Sequence, residues 1–134
     1  MTATLVDSNV ILDVVTEDEE WFDWSASALA RQADAGPVVV NPIIYAEAAA
    51  RFERIEDLED ALPSDYFQRQ ALPWEAAFLA GRSFVVYRRR GGQRRSPLPD
   101  FYIGAHALVA GMTLLTRDPA RYRTYFPKLR LMAP

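Results

Sequence analysis

Cysteine is absent from the 134 residues, which removes disulfides, zinc–thiolate centres and cysteine nucleophiles from the available chemistry. Histidine occurs once, at His106, so a His-rich zinc or iron centre cannot be built either. Lysine is as scarce, with Lys128 near the C-terminal end the only one. No apolar run approaches the ~20 residues of a membrane span. Asp7 also interrupts the first such run, where a signal peptide would continue. Half of the residues are apolar, enough for a sizeable core, and residues 1–134 are expected to form one soluble, cytoplasmic domain.

Acidic and basic residues are unevenly spread. Residues 1–81 hold 16 acids and 4 bases, a net of −12, and residues 82–134 hold 2 acids and 11 bases, a net of +9. The two acids of the basic part are Asp100 and Asp118. Basic charge around an acidic centre fits a polyanion whose phosphates are gripped by arginines. Two solvated faces of opposite sign are the plainer alternative.

Those two acids belong to a set of four that lie beside or within apolar stretches. Asp7 follows Thr4-Leu5-Val6, Glu47 ends Ile43-Ile44-Tyr45-Ala46, Asp100 precedes Phe101-Tyr102-Ile103, and Asp118 follows Leu114-Leu115-Thr116-Arg117. A carboxylate near core-forming residues is costly unless bonded, paired or metal-bound. Four gathered carboxylates repel one another, and a hard divalent cation relieves the repulsion. Carboxylate and water ligands suit Mg²⁺, with Mn²⁺ as a substitute. Such a centre activates water for in-line attack on a phosphodiester and requires no protein nucleophile.

Three of the four also fit structural roles. Asp7 and Asp118 suit helix caps, and Asp100 sits after Pro99 in a first helical turn, where an acid complements the helix dipole. Glu47, in mid-helix, has nothing to cap. Asn9 and Thr116, each two residues from an Asp, suit a supporting polar role or a cap, and Ser8 is a weaker candidate of that kind.

The remaining pattern reads as alternating strands and helices. Strands are expected at Thr4-Leu5-Val6, Pro37–Val40, Met112–Leu115 and Leu129-Arg130-Leu131. Helices are expected after Ser8, from Glu17 to Ala35, from Pro42 to about Phe52, from Trp74 to about Arg90, from Pro99 to near Gly111, and after Pro119. Residues 53–72 carry only an acidic helical pattern, Ile55, Leu58 and Leu62, ended by Pro63. Arg88 to Pro97 reads as a flexible loop. This alternation implies a three-layer α/β/α sandwich with a central parallel sheet, whose ligands sit beyond the carboxyl ends of the strands.

Four segments together, Leu5–Asp13, Asn41–Glu47, Leu98–Ala107 and Leu115–Tyr122, resemble PIN-domain ribonucleases, and most of all VapC toxins of type II toxin–antitoxin pairs. The resemblance runs from residue 4 to about residue 131. It implies a Mg²⁺-dependent endoribonuclease with Asp7, Glu47, Asp100 and Asp118 at the acidic metal-binding positions, supported by Asn9 and Thr116. It also implies a homodimer held inactive by a cognate, VapB-like antitoxin, with RNA as substrate.

Other features have two readings each. Arg88, Arg89, Arg90, Arg94 and Arg95 suit RNA phosphates, or a solvated helix end. Trp21, Phe22 and Trp24 suggest core packing with at least one ring facing outward as an antitoxin groove. His106 is expected to be packed or at the surface. Tyr122, near Arg121 and Arg123, suits nucleic acid; Tyr125-Phe126 suits the core. Two rival functions remain. A phosphatase or phosphoacceptor domain with Asp7 as nucleophile would need a well-placed lysine, which Lys128 does not supply. A non-catalytic RNA- or partner-binding module would be expected to lose metal ligands.

Overall fold

The computed structural model describes residues 2–134. Five short strands form one parallel sheet: β1 Thr4–Val6, β2 Val38–Val40, β3 Phe67–Arg69, β4 Thr113–Leu115 and β5 Leu131–Met132, in the order β3-β2-β1-β4-β5. Seven helices cover it: α1 Ser8–Val15, α2 Phe22–Ala35, α3 Pro42–Ala49, α4 Ile55–Ala61, α5 Trp74–Arg89, α6 Pro99–Val109 and α7 Ala120–Tyr125. This is the expected α/β sandwich. The three central strands read as continuous apolar runs because helices bury both of their faces; Leu5, Val6, Val39, Leu114 and Leu115 have no exposed surface at all.

β1 is the middle strand, and the chain leaves it toward β2 on one side and β4 on the other. The crevice beyond the carboxyl end of β1 is therefore a switch point, where open α/β sheets collect ligands. Asp7 is the first residue past that end and accepts the Ser8 N–H at 2.8 Å as N-cap of α1. Asn41 plays the same part after β2, accepting the Ile44 N–H at 2.9 Å, and Pro42 sets the first turn of α3. These two caps fix how the helices bearing the acids leave the sheet.

The structure corrects several boundaries. α2 begins at Phe22, not Glu17, because Glu17 takes a left-handed φ of 50° and the Asp18 carboxylate accepts the backbone N–H of Glu20 and Trp21. α3 stops at Ala49. Residues 53–72 hold α4 and also β3, which pairs in register with β2, Val39 opposite Gln68. As an edge strand β3 buries only Phe67, so it carries no apolar run that would mark it. Pro119, not Asp118, is the N-cap of α7, and Asp118 caps nothing with its side chain. The last strand lies two residues later than its expected start, at Leu131–Met132.

α6 and α7 approach closely at Gly104. A Cβ added there would lie 2.6 Å from the Phe126 ring and 3.1 Å from Tyr122, so only glycine lets Tyr122 reach so far inward. No helix among the described residues is long and apolar enough to cross a membrane.

Candidate metal centre

Asp7 is 4% exposed, and both of its carboxylate oxygens are occupied. Oδ1 accepts the Ser8 N–H; Oδ2 accepts the Thr116 hydroxyl at 2.9 Å, the Tyr122 phenol at 2.9 Å and, more weakly, the Asn9 amide at 3.5 Å. Burial pushes the Asp7 carboxyl up from 3.8 to about 6, with the Asp100 charge adding to the rise and these hydrogen bonds opposing it. Glu47 is half-buried on α3 and accepts the Ser8 hydroxyl at 3.0 Å. Burial raises its carboxyl too, reinforced by the charge of Asp7 and then of Asp100. Asp100, at the start of α6, accepts Arg121 at 3.1 Å on Oδ2 and the Tyr122 phenol at 3.4 Å on Oδ1.

Three of the four expected acids are thus within electrostatic reach of one another beyond the end of β1. Asp118 stands apart. It is exposed, at the rim of a cleft of about 350 Å³ that it lines with Asp100, Arg121, Thr124 and Tyr125. Its backbone N–H donates to Thr116 Oγ1 at 3.1 Å, so its position is tied to the centre through that hydroxyl. The more apolar cleft of about 360 Å³ beyond β2 and β3, around Tyr45 and Arg69, contains none of the four.

The supporting polar residues are drawn in as well. Thr116 and Asn9 meet at 3.2 Å, and Asn9 Oδ1 accepts the Arg117 N–H at 3.2 Å, clamping the β4–α7 turn against α1. Ser8, the weakest candidate by sequence, touches Glu47 directly. Two residues escaped the sequence reading. Tyr122 is 1% exposed and bonded to two acids, not free for nucleic acid. Burial, with the Asp7 charge next, pushes its phenol well above the usual range. Asp13, 2% exposed, accepts Arg117 at 2.7 Å and the Ser25 hydroxyl at 2.7 Å. Its only signal in the sequence was an acid on the apolar helix α1. Arg117 also lies over the Trp21 ring at 5.5 Å, so this guanidinium is committed to the fold.

His106 is fully buried and packed, as one of its two expectations had it. Its Nδ1 meets the Asn41 amide at 3.0 Å, and Nε2 has no partner. Burial lowers its pKa. Trp21, Phe22 and Trp24 are all half-buried, and none is among the exposed large apolar side chains, contrary to the expected outward ring. Trp74 and Phe78 of α5, 89% and 72% exposed, take that place. Arg88 and Arg89 belong to the last turn of α5; Arg90 sits over the Tyr125 ring at 5.5 Å, and Arg94 and Arg95 are exposed.

The donor set is all hard oxygen. Among the described residues no three Asp, Glu or His side chains are grouped tightly enough to enclose an ion. A closed protein cage, as structural zinc requires, does not fit. A cation that keeps most of its water and takes one or two carboxylates does fit, since Asp7 and Asp100 already share a bridging phenol and the charge of Asp100 adds to the cost of ionising Asp7.

The PIN domain family model matches residues 4–127. No curated protein matches the chain. Among solved structures, the VapBC2 complex of Rickettsia felis bound to a promoter DNA fragment is 15% identical with a TM-score of 0.72, covering 98% of both chains. VapBC-1 of nontypeable Haemophilus influenzae is 16% identical with a TM-score of 0.73, over 98% of this chain and 97% of that one. A toxin–antitoxin complex of Klebsiella pneumoniae is 21% identical with a TM-score of 0.61, over 94% of each. At such identities the likeness is one of fold.

Proposed function

This chain belongs to the PIN-domain family, and on that footing we propose that it is a VapC-type toxin. It is a cytoplasmic endoribonuclease that hydrolyses structured cellular RNA and is silenced by a cognate, VapB-like antitoxin. The observation that most supports the reading is that Asp7, Glu47 and Asp100, carried by three separate helices, are within electrostatic reach of one another beyond the central strand. Asp7, Glu47 and Asp100 would hold Mg²⁺ or Mn²⁺, with Asp118 at the rim. Such an ion, when bound, supplies Lewis-acid stabilisation and an activated water.

The chain's own residues prepare that site. Ser8 orients Glu47, while Thr116 and Asn9 fix the face that Asp7 presents. Burial excludes bulk water around Asp7, which strengthens every charge interaction there. Arg88, Arg89, Arg90, Arg94 and Arg95 grip RNA phosphates in a sequence-independent way. Residues 1–134 act as one domain, assembled as a homodimer and, with antitoxin, as a hetero-oligomer.

The test is cleavage of total cellular RNA by purified protein with Mg²⁺, with EDTA, and with Asp100→Asn. A few discrete fragments formed only by wild type with metal support the reading. A non-catalytic RNA- or partner-binding module is the second reading, favoured by the loose spacing of the acids among the described residues. RNA retention without cleavage by folded, antitoxin-free protein supplied with Mg²⁺ or Mn²⁺ would establish it instead.

A further inference from the structure

Among the described residues, Tyr122 is the one side chain that touches the carboxylates of two of the acids. Its phenol donates to Asp7 Oδ2 at 2.9 Å and lies 3.4 Å from Asp100 Oδ1, reaching partners 115 and 22 residues away along the chain. Thr116 donates to the same Asp7 oxygen at the same 2.9 Å, but to no second acid. The ring of Tyr122 is locked: it is 1% exposed, sits on α7, and packs where Gly104 leaves room between α6 and α7. A phenylalanine would fill that space equally well. The hydroxyl is therefore not needed for packing, and placing it between the buried Asp7 and the half-buried Asp100 demands another account.

We propose that Tyr122 is a positioning residue that ties Asp7 to Asp100 and sets the two carboxylates in the relation a divalent cation requires. The proposal rests on the reading of these acids as a cation centre. A buried carboxylate and a half-buried one left to themselves turn away from each other, since like charges in one site repel. A donor shared between them offsets that tendency and fixes which oxygens remain free. Hydrogen bonds to ligating carboxylates from outside the coordination shell carry weight of this kind, and losing one costs roughly 10- to 100-fold in metal affinity. Arg121, next along α7, pairs with the other oxygen of Asp100 at 3.1 Å. Oδ1, the oxygen facing Tyr122, is thus the side of Asp100 turned toward Asp7.

The experiment is direct Mn²⁺ binding, read from the free-ion electron paramagnetic resonance signal, for wild type, Tyr122→Phe and Thr116→Val. Tyr122→Phe is expected to bind roughly 10-fold or more weakly, and Thr116→Val to lose less, because its hydroxyl contacts a single carboxylate. Leu58→Ala, a core truncation in α4, controls for lost stability and should leave Mn²⁺ affinity unchanged. Unchanged or tighter binding by Tyr122→Phe overturns the proposal, as do equal losses in the two hydroxyl variants. Absence of Mn²⁺ binding by wild type overturns the cation centre itself, and is thereby told apart. Should Tyr122→Phe fail to fold, near-ultraviolet difference spectra of wild type decide. Mg²⁺ must perturb a tyrosine band in step with binding, and a flat spectrum on saturation counts against the bridge.

Discussion

Around Asp7 every side-chain donor but one arrives from the far end of the chain, Thr116 from 109 residues away and Tyr122 from 115. The arginine-rich segment from Arg88 to Pro97 satisfies itself locally. Arg88 donates to the Arg94 carbonyl six residues on, the Arg94 N–H reaches the Tyr87 hydroxyl, and Gly91 turns the chain with a φ of 91°. One region stores like charge out of water and holds it by long-range bonds; the other keeps like charge in water and needs few. Destabilising charge that is nevertheless firmly built in is what a binding centre looks like, since unused burial of that kind would cost the fold for nothing. Exposed charge carries no such message, because it costs little to keep.

The largest contrast is expected from Asp7→Asn. Cleavage should fall to background while the cation-free protein grows more stable. The native carboxyl binds its proton at about pH 6 against 3.8 in the unfolded chain. Between those values the native state holds more protons, so the Asp7 contribution to stability is present below about pH 4 and is lost as pH rises through 6. The full difference is about 3 kcal/mol. Urea unfolding in EDTA should therefore show the variant's advantage over wild type widening from pH 4 to 7. A constant difference would mean that Asp7 does not titrate in this way. Saturating Mg²⁺ should stabilise wild type and shrink that advantage.

Next comes Arg117→Ala, which leaves Asp13 buried with Ser25 as its only partner. Removing one member of a buried pair costs about 3–5 kcal/mol. Partial exposure of the guanidinium, at 32%, scales this to about 2 kcal/mol. The midpoint of thermal unfolding should drop accordingly, and Asp13→Asn with Arg117→Ala together should lose less than the sum of the two. The smallest effect belongs to the loop. Replacing Arg94 and Arg95 by Ala should leave stability within about 0.5 kcal/mol, while the salt dependence of RNA binding flattens by about 1 per arginine. An unchanged salt slope would restrict this segment to a solvated helix end.

What was legible in the sequence followed from local pattern. Val38–Val40 and Leu114-Leu115 announce buried parallel strands, and Asp7, Glu47 and Asp100 stood out as acids in apolar company. What was hidden depends on tertiary partners. β3 buries one residue of three and pairs only because β2 lies beside it. Tyr122 looks like any aromatic on a short basic helix until α7 docks on α6, and Asp13 looks like a stray acid until Arg117 meets it. Asp118 illustrates the converse: its Asp-Pro spacing suggests a cap, yet the helix starts one residue later and leaves the carboxylate at the rim. The half-buried Trp21 could not be told from an exposed ring because what covers it is an arginine from the other end of the chain.

The placement of β1 at the middle of the sheet has a consequence in time. Asp7 is made well before its neighbours on one side, β4 and Tyr122, with Thr116 lying 109 and Tyr122 lying 115 residues further along the chain. While the chain is being synthesised, the crevice beyond β1 has only one wall. A nascent polypeptide that has emerged only as far as β3 cannot gather the acids, which come together once α6, β4 and α7 have followed. The order of the strands thus makes the gathering of these acids a late event relative to the synthesis of Asp7 itself.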